Sequence, residues 1–147
     1  MLLKEIMQTN VKTARPESSI QEAGKIMAEN DIGSLVVIDG TGKLVGILTD
    51  SDIIKNVVSK GEDVNEIKVG DIMTKDVIVA SPDANLEEAA DVLVKYKIKH
   101  LPVVDQGSVV GMITGTDLIA YEEALIEKIA ALLIARRDHD HGEQVGG

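Results

Sequence analysis

An internal repeat constrains the fold of this chain more than any other feature of its sequence. Residues 6–39 recur 66 positions later as residues 72–105, and residues 46–54 recur 65 positions later as residues 111–119. The identical pairs are Ile6-Met7 and Ile72-Met73, Val11 and Val77, Ala14 and Ala80, Pro16 and Pro82, Glu22-Ala23 and Glu88-Ala89, Ile32 and Ile98, Leu35 and Leu101, Val37 and Val103, Asp39 and Asp105, Gly46 and Gly111, Thr49 and Thr114, Asp52 and Asp117, and Ile54 and Ile119. A unit of about 60 residues buries only a marginal core alone. The repeat therefore predicts two units packed together.

Each copy has the pattern of a β-α-β-β-α unit. Ser19 with Glu22, and Asn85 with Glu88, have the spacing of a helix N-cap and its third residue. Short Asp/Gly segments predict a hairpin turn in each copy, and the apolar hairpin strands predict a sheet covered on both faces. The predicted elements are strands at 11–14, 35–38, 44–48, 77–80, 101–104 and 109–113, and helices at 20–29, 50–58, 86–97 and from Thr116 onward.

The predicted fold class is α/β (α+β), with the two repeats packed in pseudo-two-fold fashion and a C-terminal helix added. The predicted boundaries are repeat 1 at 1–58, a polar linker at 59–69, repeat 2 at 70–121, a helical extension at 122–137 and a disordered tail at 138–147. This division accounts for the whole length of the chain.

Composition excludes several classes of protein. The chain is 44% hydrophobic, which opposes disorder, and no apolar run approaches the roughly 18 residues of a membrane span. A formal net charge of −10 and 1% aromatic residues disfavour nucleic-acid partners. The absence of cysteine excludes disulfides, thiol catalysis and zinc–thiolate sites. Because the N-terminus lacks a long apolar segment, no signal peptide is expected and a cytoplasmic protein is predicted.

The second hairpin strand of each copy ends in the pattern Gly-x-x-Thr-x-x-Asp, at 46–52 and 111–117. Helix-start N–H groups attract anions, a Thr hydroxyl donates to phosphate or sugar oxygens, and a carboxylate accepts from a ribose diol. Thr followed three residues later by Asp is also an ordinary helix N-cap. Duplication at matching positions favours a ligand role, with the cap as the alternative.

Together these features resemble a tandem pair of CBS domains, the regulatory module named after cystathionine β-synthase. The matching segments are Ile-Met with a Val run (6–14 and 72–80), Pro with a capped Glu-Ala helix (16–29 and 82–97), the strands at 35–39 and 101–105, and the two Gly-x-x-Thr-x-x-Asp motifs. The resemblance spans residues 1–121. It implies inter-repeat clefts that bind AMP, ADP, ATP, S-adenosylmethionine or sometimes NAD(H), as regulatory ligands in signal transduction or energy sensing and not as catalytic cofactors.

The resemblance also implies roles for individual residues. Asp52 and Asp117 would hold ribose, and Thr49, Thr114, Ser51 and Thr116 would contact ribose or phosphate. The adenine pocket would draw on Lys12, Thr13, Ala14, Ile32, Ile78, Val79, Ala80, Ile98, Leu101 and Pro102. Which repeat supplies which wall is left open.

Phosphate binding needs local positive charge in so acidic a chain. Lys99 and His100 match the basic residues of phosphate-binding relatives; the alternative is a solvated Lys99 and a partly packed His100. Asp50, next to Thr49, would repel phosphate unless Lys12, Lys43 or Lys55 compensates. The Asp117 site is therefore expected to be the better nucleotide site.

The apolar side chains of the predicted helix at 118–137 lie on more than one face, which favours an oligomer contact over a cap on its own repeat. A homodimer is expected. His139 and His141 are a weak metal pattern, and a solvated tail explains them better. Asp39, Asp50 and Asp52 are explained better by turns and caps than by paired-carboxylate catalysis.

No P-loop, Gly-x-Ser-x-Gly, His-Glu-x-x-His or Gly-x-Gly-x-x-Gly pattern is present, so no enzyme is predicted. The predicted function is a stand-alone regulatory CBS pair that passes ligand state to an unidentified effector protein or to its own oligomer. The alternatives are an empty dimerisation scaffold and a nucleic-acid-associated regulator.

Overall fold

The computed structural model describes the backbone of residues 1–146 and the side chains of residues 1–135. The chain divides into two compact units, Met1–Ile113 and Thr114–Gly147. The elements are α1 (Leu3–Ile6), β1 (Thr13–Ala14), α2 (Ile20–Asn30), β2 (Ser34–Ile38), β3 (Leu44–Thr49), α3 (Asp50–Ile53) continued by a π-helical turn (Ile54–Val58), α4 (Val69–Ile72), α5 (Leu86–Tyr96), β4 (His100–Asp105), β5 (Ser108–Thr114) and α6 (Gly115–Gly146).

Two small sheets form the predicted mixed α/β architecture. In the first, β1 lies parallel to β2, with Ala14 opposite Val37, and β2 pairs antiparallel with β3. In the second, β4 and β5 are hydrogen-bonded neighbours. The segment of repeat 2 that corresponds to β1 forms only a single parallel bridge, between Ala80 and Val103. The strands predicted at 11–14 and 77–80 are therefore shorter than expected, because few of their residues pair.

The long helix of each repeat begins at its predicted cap. Ser19 Oγ accepts from the Glu22 N–H at 3.1 Å, and Asn85 Oδ1 accepts from the Glu88 N–H at 2.8 Å. Both helices end at a left-handed residue, Asp31 in α2 and Lys97 in α5. Lys97, predicted inside the helix, is thus its C-cap.

The first sheet is covered on both faces, as its continuous apolar strands predict. Leu35, Val37 and Leu48 pack in one buried cluster with the α2 side chains Ala23 and Met27. The opposite face forms a second buried cluster, made of Val36, Ile47 and Met112. Repeat 2 therefore contributes a side chain, Met112, to the covering of the repeat 1 sheet.

The two repeats exchange their leading segments. Helix α4, at the start of repeat 2, docks on repeat 1, where the Val69 and Gly70 N–H groups donate to the Ser18 and Pro16 carbonyls, each at 2.8 Å. Helix α1 docks on repeat 2 in the same way, because the Leu3 and Lys4 N–H groups donate to the Ala84 and Pro82 carbonyls at 2.8 and 3.0 Å. These contacts equate Leu3 with Val69 and Pro16 with Pro82, as pseudo-two-fold packing requires.

The segment predicted as a linker, 59–69, contributes to the repeat 1 core. Val69 is fully buried in that core, and Val64 and Ile67 pack against it. The mostly polar composition of this segment did not predict that its three apolar residues, Val64, Ile67 and Val69, all contact the repeat 1 core.

The helix predicted at 50–58 changes character after Ile53. The Ser59 N–H donates to the Ile54 carbonyl at 2.8 Å, which is the longer bond of a π-helical turn. Val57 in this turn is fully buried. A sequence pattern predicts that a helix is present, but not this local change of hydrogen bonding.

In the second unit, α6 is longer than the predicted 118–137. The predicted disorder of 138–147 and the histidines of that stretch lie beyond the described side chains. Every helix among the described residues is either too short or too polar to span a bilayer.

Candidate functional site

The Gly-x-x-Thr-x-x-Asp motif forms a helix cap in both repeats. In repeat 1 the Thr49 N–H donates to Asp52 Oδ2 at 3.0 Å, and the Asp52 N–H donates to Thr49 Oγ1 at 3.1 Å. In the second unit Thr114 and Asp117 make the same two bonds, at 2.9 and 3.1 Å. The alternative interpretation of the motif as a cap is therefore confirmed. A carboxylate accepts several hydrogen bonds, so the cap also fixes the orientation of a group that a ligand can use.

A cleft of about 410 Å³ lies at the repeat 1 motif. We call it the Asp52 cleft. Its volume falls in the range of small-molecule sites, about 300–1,000 Å³. The residues that line it are Ile47, Thr49, Asp50, Ser51, Asp52, Lys55, Thr74, Asp76, Val77, Ile78, Lys97, Ile98, Lys99 and His100.

Both repeats build this cleft. The end of β3 and the start of α3 supply one side, and Thr74, residues 76–78 and residues 97–100 of repeat 2 supply the other. The Ile47 N–H donates to the Thr74 carbonyl at 3.0 Å, and the Thr74 N–H donates back to the Ile47 carbonyl at 2.9 Å. This pair of bonds joins the two sides of the cleft.

Gly46 permits the close approach that makes this pairing possible, and Gly111 does the same for the equivalent pairing of Gln8 with Met112. A Cβ on Gly46 would lie 2.5 Å from Met73 Sδ and 3.0 Å from the Thr74 carbonyl oxygen. A Cβ on Gly111 would overlap Met7 Sδ and lie 3.0 Å from the Gln8 carbonyl oxygen. The glycine that begins the motif in each repeat is thus needed for contact between the repeats. Gly46 and Met73 each have an identical counterpart in the repeat, Gly111 and Met7, and these two residues are neighbours in the same way.

The basic and acidic candidates lie in the same cleft. Lys99 and His100 share it with Asp50 and Asp52, so the charges that sequence analysis weighed in two separate sites belong to one. A Cβ on Gly33 would lie 3.3 Å from Asp50 Oδ2 and 3.4 Å from His100 Cε1, which places both side chains beside Gly33. The preference for the Asp117 site rested on separating these charges, and that basis is removed.

The cleft carries cations and anions in similar number. Lys55, Lys97 and Lys99 line it together with three aspartates, Asp50, Asp52 and Asp76. Lys55 was one of the three lysines expected to compensate for Asp50. The cleft is therefore less negative than the rest of the chain, whose net charge is −10, and it suits an anionic or zwitterionic ligand.

The residues predicted to hold adenine divide between walls and core. Ile78 and Ile98 line the Asp52 cleft and are half-buried, so both offer apolar surface to it. Ala14, Leu101 and Pro102 are buried in strands β1 and β4 and are not among the residues that line the Asp52 cleft. Thr13, Val79 and Ala80 are not among the residues that line the Asp52 cleft.

Sequence reasoning missed several cleft residues, namely Ile47, Thr74, Asp76, Val77 and Lys97. Thr74 and Asp76 had no motif to mark them, because they belong to an irregular segment. Lys97 was assigned to a helix and its left-handed backbone turns it out of that helix. The repeat offset was the available clue, since Thr74 corresponds to Gln8 and both pair with the other repeat.

Lys12 and Ile32 line a different cleft, of about 460 Å³, together with Met7, Gln8, Thr9, Asn10 and Asn30. Thr114, Thr116 and Asp117 belong to the second unit, where Thr116 is exposed and the other two are half-buried. Among the residues that the structure describes, no group of three acidic or histidine side chains is placed to hold a metal ion.

Comparison with known proteins agrees with the repeat. The model of the CBS domain matches residues 3–59 and again residues 69–124. The chain is 34% identical over 116 residues to the CBS domain-containing protein YhcV of Bacillus subtilis (strain 168). The matched region covers 79% of this chain and 81% of that protein. The extent of both matches shows that the similarity concerns the whole pair.

Two solved structures are similar in fold. The CBS domain pair of protein MJ0100, in complex with 5′-methylthioadenosine and S-adenosyl-L-methionine, has a TM-score of 0.77 and 35% identity over 84% of this chain and 97% of that one. A putative signal-transduction protein with CBS domains from Burkholderia ambifaria MC40-6 has a TM-score of 0.80 and 28% identity, covering 84% and 95%.

Proposed function

Since the chain belongs to the CBS-domain family as a tandem pair, we propose that it is a regulatory protein that binds an adenosine-type ligand in the Asp52 cleft. The observation that carries this proposal is the composition of the cleft. A capped Thr–Asp motif from one repeat faces aliphatic walls and basic residues from the other. The structure of the MJ0100 pair with two adenosine-containing ligands supports the same ligand class.

Each part of the ligand has a matching group. The Asp52 carboxylate accepts hydrogen bonds from the ribose hydroxyls, and the Thr49 and Ser51 hydroxyls lie near enough in sequence to contact ribose or phosphate oxygens. Ile78 and Ile98 cover the adenine faces, because a flat purine loses water contact between two aliphatic side chains. This clamp replaces ring stacking in a chain with 1% aromatic residues.

The polar end of the ligand meets Lys99, His100 and Lys55. These groups suit a phosphate or a carboxylate. Asp50 and Asp76 in the same cleft disfavour several phosphate charges close together and suit a ligand that also carries positive charge. Among the candidate ligands, S-adenosylmethionine combines a carboxylate with cationic groups, so we expect it to bind more tightly than ATP.

Because the ligand would contact both repeats, its binding stabilises one arrangement of them over others. Such differential affinity is what a regulatory response requires. We propose that the response passes to a homodimer or an effector protein in the cytoplasm, without catalysis by this chain. By repeat equivalence, Asp117, Thr114 and Thr116 are proposed to hold the ribose of a second ligand.

A thermal-shift panel tests the ligand class. The wild-type chain is heated with AMP, ADP, ATP, S-adenosylmethionine, NADH or a short RNA, each over a range of concentrations. An adenosine ligand present at 100 times its Kd adds about 2.7 kcal/mol to the free energy of unfolding, which raises Tm by roughly 5–10 °C. A panel without any shift contradicts the proposal and favours an empty scaffold. A salt-sensitive shift with RNA alone favours the nucleic-acid alternative.

A matched pair of variants tests the site. Asp52→Asn keeps the shape of the side chain, removes its negative charge and replaces one of its two acceptor oxygens by an NH2 donor, so the ligand-induced shift is expected to disappear. Asp91→Asn makes the same chemical change on an exposed position of α5 and is expected to retain the shift. Equal shifts in the two variants would contradict the role of Asp52.

A further inference from the structure

Helix α6 presents an uncovered apolar surface. Ile126 and Leu132 are 63% and 67% exposed, and Leu125, Ile129 and Leu133 are exposed as well. At 100° of rotation per residue, these five side chains fall within about 60° on either side of Ile129. Single exposed apolar residues are ordinary on protein surfaces, but a stripe of five along one helix indicates a contact surface. We call it the Ile129 stripe.

The apolar positions of the Ile129 stripe are symmetric about its centre. Leu125 and Ile126 precede Ile129 by four and three residues, and Leu132 and Leu133 follow it by three and four. About two helical turns from the centre, Glu122 lies seven residues before Ile129 and Arg136 lies seven residues after it. The helix therefore has apolar residues at matching distances on both sides of its centre and opposite charges at its two ends.

We propose that α6 pairs antiparallel with α6 of a second copy of this chain, with the two helices crossing at Ile129. A two-fold contact uses the same surface on both subunits, so that surface must complement itself. Antiparallel pairing sets the two leucine-rich halves against each other and sets Glu122 against Arg136 of the partner subunit. The proposal rests on the homodimer proposed above and identifies the surface that forms it.

The order of charges along α6 favours antiparallel pairing over parallel pairing. A parallel pair centred on Ile129 would set Glu122 against Glu122 and Arg136 against Arg136. Like charges in these positions repel, whereas Glu opposite Arg attracts and fixes orientation. A long helix with apolar side chains on its outside also gains most of its stability from packing, which a second copy supplies.

The experiment measures the mass of the full-length chain by sedimentation velocity across a concentration series. Ile129→Glu puts two carboxylates at the crossing and is expected to raise the dimer Kd by about 30-fold or more. Ala131→Glu introduces the same side chain about 200° away on the exposed opposite face and is expected to leave the Kd within about threefold. Equal Kd values for the two variants would overturn the proposal.

Charge reversal tests the direction of pairing. Glu122→Arg sets Arg against Arg in the antiparallel pair and weakens it, and adding Arg136→Glu restores the opposite charges and the affinity. In a parallel pair neither change alters the pattern of like charges, so an unaffected Kd in both variants would overturn the antiparallel arrangement.

The outcomes separate this inference from the proposed function. A wild-type chain that sediments as a monomer contradicts both the homodimer and the Ile129 stripe. A dimer that Ile129→Glu leaves intact contradicts the stripe alone. The ligand-induced thermal shift is measured in the same variants and is expected to persist, because the Asp52 cleft lies in the other unit.

Discussion

Replacement of Gly46 by alanine tests the contact that joins the two repeats. The added Cβ would lie 2.5 Å from Met73 Sδ, 3.0 Å from Met73 Cγ and 3.0 Å from the Thr74 carbonyl oxygen. Ordinary contacts between such atoms are about 3.5–4.0 Å, so the segment must move by roughly 1 Å. The Met73 side chain can rotate away, but the Thr74 carbonyl is held by the Ile47 N–H at 3.0 Å.

The expected cost follows from this geometry. Overpacking with displacement of backbone costs about 1–3 kcal/mol, and a value near 2 kcal/mol lowers Tm by roughly 4–8 °C in a chain of this size. Gly46→Ala is also expected to weaken ligand binding, because Ile47 and Thr74 line the Asp52 cleft. Urea unfolding and the ligand-induced thermal shift measure the two effects.

A control and a double-mutant cycle make the test specific. Gly24 lies inside α2, where an added Cβ meets nothing within 4 Å, so Gly24→Ala is expected to stabilise by about 0.5–1 kcal/mol. Combining Gly46→Ala with Met73→Ala removes part of the overlap, so the double variant is expected to lose about 1 kcal/mol less than the sum of the single ones. Strict additivity, or a Gly46→Ala variant as stable as wild type, would refute the reasoning.

Three further predictions concern the same structure. Val69→Ala, in the segment that repeat 2 inserts into the repeat 1 core, is expected to cost about 2 kcal/mol in urea unfolding; a loss below ~0.5 kcal/mol would contradict the exchange. Thr49→Ala is expected to cost about 1 kcal/mol through the lost cap and to reduce the ligand-induced shift; an unchanged shift would exclude a ligand role for the hydroxyl. Hydrogen bonds from the Thr41 hydroxyl, then the Thr41 and Lys43 N–H groups, hold the pKa of Asp39 below its ordinary 3.8. Its contribution to stability is therefore present above about pH 4 and lost as the pH falls through the folded pKa, so the Tm difference between wild type and Asp39→Asn should shrink on acidification; a constant difference would count against these bonds.

The repeat made the order of elements predictable. Capping residues such as Ser19 and Asn85 fixed where the long helices start, and continuous apolar strands indicated a sheet covered on both faces. These are local properties, encoded within a few residues of where they act. The ends of strands were less predictable, because pairing at Ala80 depends on a partner, Val103, more than 20 residues away.

The exchange of leading segments was not predictable in this way. Helices α1 and α4 are four residues long, too short for a periodic pattern, and they are held by carbonyls of the other repeat. The same exchange brings Thr74 against Ile47 and so determines which repeat supplies each side of the Asp52 cleft. Sequence identified Asp52 and Lys99 as candidates, but only the long-range contacts place them in one cleft.

The most direct test of the central claim is the methyl NMR spectrum of the isoleucine-labelled chain during titration with S-adenosylmethionine or 5′-methylthioadenosine. The chain has two tyrosines and no other large aromatic residues, so a bound adenine ring adds a strong local source of ring-current shifts. The account predicts large, saturable shifts for the Ile78 and Ile98 methyls, lost in Asp52→Asn and kept in Asp91→Asn. Saturable binding that leaves both methyls unmoved would contradict an adenosine site in the Asp52 cleft.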